Sequence, residues 1–179
     1  HVGLVPQDPF LFSRSLRDTV AFALPGDGDP AVAQAVEMAG LARDVADMPD
    51  GLETIVGERG VTLSGGQKQR ATLARAIAKD PAVLILDDAL SAVDTHTEAE
   101  ILRGLRGVLQ ERTSVIVSHR VSAVMNADLI LVLEDGEVVE RGRHETLAEA
   151  GGAYSQLLRR QLLEEEVGEN TVLAGPEGE

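Results

Sequence analysis

Hydrophobic positions change period along this chain, and the changes mark its elements. Val2-Gly3-Leu4-Val5 is a short apolar strand stopped by Pro6, and Asp8 to Phe12 is a loop carrying Phe10, Leu11 and Phe12. Leu16, Val20 and Ala23 recur at helical spacing between Ser13 and Leu24. Pro25-Gly26-Asp27-Gly28 breaks that pattern. Asp29-Pro30 then supplies a cap followed by proline at the first helical position, predicting a helix from Ala31 to Ala39 that Gly40 stops. A second short helix reaches Met48 and ends at the Pro49-Asp50-Gly51 turn. Gln67 to Ala78 reads as a helix with Ala71, Ala74, Ile77 and Ala78 on one face. Val83-Leu84-Ile85-Leu86 and Ser114-Val115-Ile116-Val117 read as strands buried on both faces, with a helix from Glu98 to Leu109 between them. Asp135-Gly136 separates Leu129–Leu133 from Val138–Glu140, a strong hairpin signal. His144 to Ala150 and Ala153 to Leu163 read as terminal helices. From Glu164 the chain is acidic and without period, so a disordered tail is expected. The alternation predicts an α/β fold, a parallel-sheet core with a helical insertion between its first strand and the next.

Composition narrows the function classes. The 179 residues suffice for one domain with a real core. A formal net charge of -14 argues against a nucleic-acid partner, because phosphate backbones repel it. The absence of cysteine removes disulfides and thiolate metal sites and fits a cytosolic setting. No apolar run approaches the roughly 20 residues that span a bilayer. The first residue is His1 rather than Met, inside an apolar segment, and the expectation is of a chain cut from a longer one.

Two stretches carry candidate chemistry. Leu63-Ser64-Gly65-Gly66-Gln67 stands at a helix start. Paired glycines let backbone N–H groups approach a ligand, the helix N-terminus carries about half a positive charge, and Ser64 adds a hydroxyl donor. The plain alternative is an N-cap followed by a flexible glycine pair. Leu84-Ile85-Leu86-Asp87-Asp88 ends a buried strand in two carboxylates, at the strand end where open α/β sheets hold ligands. Asp87 suits Mg²⁺, and Asp88 can orient or deprotonate a water. The alternative is a solvated Asp turn. Ser118-His119-Arg120 closes the next strand, where His119 can hydrogen-bond a phosphate, although a lone histidine is commonly structural. Gln7 follows the first strand with an amide able to reach a metal or water. His1, His96 and His144 show no ligand spacing.

Taken in order, these residues resemble the nucleotide-binding domain of ABC transporters, from His1 to about Gln161. LSGGQ at Leu63–Gln67 resembles the signature motif, and LILDD at Leu84–Asp88 the Walker B motif. Val5-Pro6-Gln7 is similar to the Q-loop, Ser91-Ala92-Val93-Asp94 to the D-loop and His119 to the switch histidine. Gly57-Glu58-Arg59-Gly60 is similar to the X-loop of exporters. The resemblance implies a P-loop NTPase-type (RecA-like) core, incomplete at its N-terminus. Residues 1–7 would be the Q-loop strand, 8–75 the helical subdomain, 76–163 the rest of the ATPase core and 164–179 the tail.

It also implies roles. Two such domains sandwich two ATP molecules head to tail. Gln7 and Asp87 would serve Mg²⁺ and His119 the γ-phosphate at this chain's own site, with Asp88 and Gln7 acting on the water. Ser64, Gly65, Gly66 and Gln67 would bind the nucleotide held by the partner domain. Asp94 would make contacts across the dimer. Phe10, Leu11 and Phe12 lie where the family receives coupling helices of the membrane domain, which implies a place on the cytoplasmic face of the cell membrane.

Two departures stand out. The chain contains no GxxxxGK[ST]. In the family that motif lies upstream of the Q-loop, so the isolated chain is expected to fold marginally and to be inactive alone. Asp88 stands where the family usually has Glu. Intrinsic pKa values of about 3.9 and 4.3 barely differ, so the effect is one of reach. Such a site resembles the degenerate half of a heterodimeric exporter. The alternatives are a soluble ABC-type ATPase not linked to transport and a non-hydrolysing regulatory ATP-binding half.

Overall fold

A computed structural model describes residues 2–22, 24, 29–57 and 61–173. The chain forms two compact units, His1–Ser118 and His119–Glu179.

The first unit is built on a parallel sheet of β1 (Val2–Val5), β4 (Val83–Asp87) and β5 (Thr113–Val117), with β4 central. The register pairs Val2 with Val83, Val5 with Leu86 and Asp87 with Val117. All three strands therefore end at the same edge, and residues in register share a face. One face carries Gly3, Val5, Leu84 and Leu86 and is buried; the other carries Val2, Leu4, Ile85, Asp87, Val115 and Val117. On that second face Val2, Leu4, Val115 and Val117 are exposed, and Ile85 and Asp87 are half-buried. The expectation that both long strands are buried on two faces thus fails for β5. It is an edge strand whose alternate side chains reach solvent, whereas Leu84 and Leu86 of β4 lie in the core.

Helix α4 (Gly65–Ala78) lies close against the buried face: a Cβ on Gly3 would stand 2.9 Å from Pro81 Cγ and 3.3 Å from the Ala76 carbonyl oxygen. Alanine and glycine at these positions allow helix and strand backbones to approach. The predicted face of Ala71, Ala74, Ile77 and Ala78 is buried, and so are Thr72, Leu73 and Ala76. The helix is covered on further sides because α1 (Leu16–Val20) and α2 (Asp29–Met38) also pack on it. Helix α1 is shorter than its apolar spacing suggests. Arg14 and Ser15 form β2, paired antiparallel with β3 (Ile55–Val56), and Ser15 then caps the helix by accepting from the Asp18 N–H. Gly40 stops α2 with φ +65, and Gly51 turns the chain with φ +52 after α3 (Ala42–Asp47). Both glycines adopt a region costly for other residues. Helix α5 (Thr95–Gln110) buries Ile101 and Leu105. One continuous apolar cluster joins Val5, Leu84 and Leu86 of the sheet to Leu16, Val32 and Ala35 of the helices, so sheet and insertion share a core. Of Gly57-Glu58-Arg59-Gly60 only Gly57 is described; His1, Pro25–Gly28 and the last three of that tetrapeptide lie outside the described residues.

The second unit begins with α6 (Val121–Val124) and the antiparallel pair β6 (Ile130–Glu134) and β7 (Glu137–Gly142). Asp135 and Gly136 turn the hairpin with φ of 49 and 83, the two positive values a type I′ turn needs. Helices α7 (His144–Glu149) and α8 (Ala153–Leu173) complete it, around Val121, Ile130, Leu147 and Tyr154. The Tyr154 hydroxyl lies 2.8 Å from His144 Nδ1. The disordered tail expected from Glu164 is corrected in part: α8 continues to Leu173. Once a helix is nucleated, each added residue costs little, so α8 runs on past Glu164. Among the described residues no helix is long and apolar enough to cross a membrane.

Candidate functional site

The N-terminus of α4 is held by a reciprocal cap. Ser64 Oγ accepts from the Gln67 N–H at 3.2 Å, and Gln67 Oε1 accepts from the Ser64 N–H at 2.9 Å. The Ser64 hydroxyl is an acceptor in that bond, so its hydrogen is left to donate outward. Gln67 Nε2 donates to Asp44 Oδ1 at 2.8 Å, and Arg70 Nη2 pairs with Asp44 Oδ2 at 2.8 Å. Asp44 of α3 thus anchors the first turn of α4 with both carboxylate oxygens. Gln67 is a brace for the cap, while Ser64 and Gly65 are exposed and offer the helix end to an anion.

The glycines do a second job that spacing alone does not reveal. A Cβ on Gly65 would stand 3.3 Å from Ala92 Cβ, and one on Gly66 would stand 2.9 Å from the Ala92 carbonyl oxygen. They let the helix end rest on the turn that follows β4.

That turn begins at Asp88, whose φ of 46 is left-handed. Asp87 lies at the end of β4, half-buried, on the face opposite α4. The Asp88 N–H donates to the Val117 carbonyl at 2.8 Å, continuing the β4–β5 ladder by one residue. Its carbonyl accepts from Ser91 Oγ at 2.9 Å. Gln69, on the second turn of α4, is only 3% exposed. Its Nε2 donates to Ser91 Oγ at 2.9 Å and, more weakly, to the Asp88 carbonyl at 3.4 Å, and its Oε1 accepts from the Ala92 N–H at 2.9 Å. Sequence reasoning missed Gln69. The signal was there: Gln69, Thr72, Leu73 and Ala76 fall at helical spacing on one buried stripe, where a lone amide demands partners.

Asp94 caps α5 by accepting from the Thr97 N–H at 2.9 Å, and this bond lowers its pKa from the ordinary carboxylate value. Its carboxylate is fully exposed. Gln7, exposed, stands just past Val5, which is in register with Leu86, so it leaves the sheet at the edge that carries Asp87. The sheet edge therefore gathers Gln7, Asp87 and Asp88, and the α4 end gathers Ser64 to Gln67 against Ala92. His119 opens the second unit and is exposed; its carbonyl accepts from Gln161 Nε2 at 2.7 Å, and Gln161 Oε1 accepts from the Val121 N–H. Among the described residues no three His, Cys, Asp or Glu side chains cluster as a protein-only metal site. Mg²⁺ needs none, since it commonly takes one or two carboxylates plus substrate phosphate and water. The oxygen donors of Asp87 and Gln7 fit that habit.

A separate aromatic patch lies on the first unit. Phe10 and Phe12 meet edge to face at 5.0 Å, Phe12 and Phe22 stack at 5.8 Å, and the Arg14 guanidinium lies over Phe12 and Phe22 at 5.2 and 5.1 Å. All three phenylalanines are exposed.

Comparison with known proteins identifies the family. A family model described as ABC transporter matches residues 1–91. The uncharacterized ABC transporter ATP-binding protein YwjA of Bacillus subtilis is 48% identical over 161 residues, 90% of this chain and 28% of that protein. Human ATP-binding cassette sub-family B member 6 is 44% identical over 171 residues, 96% of this chain and 20% of that protein. Among solved structures, a bacterial Atm1-family ABC exporter with ATP bound superposes with a TM-score of 0.84 at 40% identity, covering 90% of this chain and 28% of that one. The chain thus spans between a fifth and a third of the length of these relatives. By motif order, fold and sequence, it belongs to the ABC transporter family and corresponds to the exporter-type nucleotide-binding domain.

Proposed function

We propose that this chain is the ATP-binding and ATP-hydrolysing segment of an ABC exporter, working at the cytoplasmic face of a membrane as one half of an asymmetric pair. The observation that carries the asymmetry is the contrast between its two ends. The Ser64–Gly66 end is fully braced by Gln67 and Asp44. The strand end presents Asp88, one methylene shorter than Glu, from a left-handed backbone.

In this reading two nucleotides are served. At the chain's own site Asp87 and Gln7 hold Mg²⁺, which supplies charge neutralisation on the phosphates. Asp88 orients a water and takes its proton as the water oxygen bonds to the γ-phosphorus and the bond to the bridging oxygen breaks. His119, which opens the second unit, is carried over from the family resemblance alone as a donor to the γ-phosphate oxygens. Positioning dominates such a reaction, and little covalent work falls to the protein. At the other site Ser64 and the N–H groups of Gly65 and Gly66 bind the γ-phosphate of ATP carried by a second nucleotide-binding domain, with Asp94 at the seam. Segment 8–75 is the helical subdomain, and its Phe10–Phe12–Phe22 patch receives coupling helices of the membrane domain. An exposed apolar patch of this kind is a partner surface.

The shortness of Asp88 favours a second reading, a half that binds ATP and gates its partner without hydrolysing. Both readings are tested by vanadate trapping of a photoreactive ATP analogue in the full-length protein with its partner. ATP is expected to label both chains, with trapping concentrated on the partner and a slow residue on this chain. Equal trapping on both refutes the asymmetry, trapping on the partner alone establishes the gating half, and absence of ATP labelling refutes the ATPase reading.

A further inference from the structure

Gln69 has no part in the roles above, yet its buried amide makes three hydrogen bonds beside them. We propose that Gln69 is a positioning residue that locks the helix whose N-terminus receives one nucleotide to the turn that follows the carboxylates serving the other. This proposal rests on the two-nucleotide reading given under Proposed function.

The argument is geometric. Ser64 and Gln69 lie within the first two turns of one α-helix, which moves as a rod over that distance. The amide of Gln69 makes three bonds to the Asp88–Ala92 turn, to Ser91 Oγ, the Asp88 carbonyl and the Ala92 N–H. Ser91 Oγ passes its own hydrogen to the Asp88 carbonyl, so the amide acts on Asp88 both directly and through that hydroxyl. Gly66 rests on the Ala92 carbonyl with no room for a methyl group between them. A shift of the α4 end by much more than a few tenths of an ångström therefore stretches these bonds or presses on Ala92. Either displacement reaches the backbone of Asp88, whose left-handed conformation aims its carboxylate. Binding at one end of α4 and alignment of the acid at the end of β4 become a single event. The buried amide is suited to this because a broken bond leaves a polar group without water, which makes the locked arrangement steep rather than soft.

The test uses the full-length protein with its partner and compares Gln69→Leu, Ser91→Ala and the double variant. Steady-state ATP turnover, KM for ATP and the thermal transition of the domain are measured for each. Gln69→Leu is expected to lower kcat at least tenfold while KM stays within about twofold. The double variant is expected to lose no more than Gln69→Leu alone, because both changes cut the same link. Gln69→Asn, which keeps the amide but withdraws it by one methylene, shows the same split at smaller size and serves if leucine destabilises the fold. Wild-type kcat in a folded Gln69→Leu or Gln69→Asn protein overturns the proposal. So do losses that add fully in the double variant, or a fall in kcat matched by an earlier melt and a rise in KM. Absence of ATP binding in the unsubstituted protein is a different result and overturns the ATPase reading itself.

Discussion

Replacing Asp88 by Glu and by Asn separates two properties that meet in one residue. The backbone at Asp88 has φ 46. Left-handed geometry costs an ordinary L-residue roughly 1–2 kcal/mol, and Asp and Asn escape part of that through short polar side chains that bond locally. Glu is longer and lacks that relief, so Asp88→Glu is expected to destabilise this domain by about 1 kcal/mol. That corresponds to a fall of a few degrees in its melting midpoint. The same substitution extends the carboxylate by one methylene. Misplacement by about 1 Å can cost on the order of a hundredfold in rate, so recovering the reach raises turnover at this chain's own site by up to about that factor. Asp88→Asn keeps the conformational tolerance of a short polar side chain but removes the carboxylate. It is expected to melt as the parent does and to lose turnover at this site. Scanning calorimetry and vanadate trapping on the full-length protein read both quantities. The reasoning is refuted if Asn destabilises as much as Glu. It is equally refuted if Glu leaves trapping on this chain unchanged in a folded protein, because reach would then not limit the site.

Three further outcomes follow from the geometry. Gly66→Ala places a methyl group 2.9 Å from the Ala92 carbonyl oxygen, a backbone atom that can yield only by moving the turn; a loss of about 1–3 kcal/mol is expected in urea unfolding, as for overpacked cores. Asp44→Ala strips the carboxylate from Arg70, whose guanidinium side chain is only 12% exposed, and frees Gln67 Nε2. Removing one partner of a fully buried pair costs about 3–5 kcal/mol; this pair is part-buried, so a loss below about 3 kcal/mol is expected in urea unfolding. Asp94 has its pKa lowered by the Thr97 N–H. Its unfolded form therefore binds more protons in the acid range, so its contribution is present above the ordinary carboxylate value near 3.9 and is lost as pH falls through the folded value. The melting difference between the parent and Asp94→Ala should accordingly be seen at neutral pH and vanish in strong acid; a difference that persists there would sink the capping argument.

The sequence by itself carried whatever is local. Gly40 and Gly51 mark their stops, Asp135-Gly136 its hairpin and Ser64-Gly65-Gly66-Gln67 its capped helix, because each signal sits within a few residues of the structure it dictates. Motif order was legible in the same way, and with it the family. Residues brought together from far apart in the chain were beyond such reading. Nothing near Gly66 announces Ala92, nothing near Gln67 announces Asp44, and Gln69 passes for one more polar residue until its stripe is seen to be buried. Burial of β5 was misjudged for a related reason. An apolar run states that a strand can be covered on both faces, but only what packs on each face decides whether it is, and Val115 and Val117, on the face opposite α4, are exposed. The length of α8 shows the converse limit. Composition argued for disorder from Glu164, while a helix already seated on Tyr154 and Gln161 extends to Leu173 because propagation is easy once nucleation is complete. Periodicity and caps thus specified the elements. Packing alone decided which distant side chains meet, among them Gln69 with the Asp88–Ala92 turn.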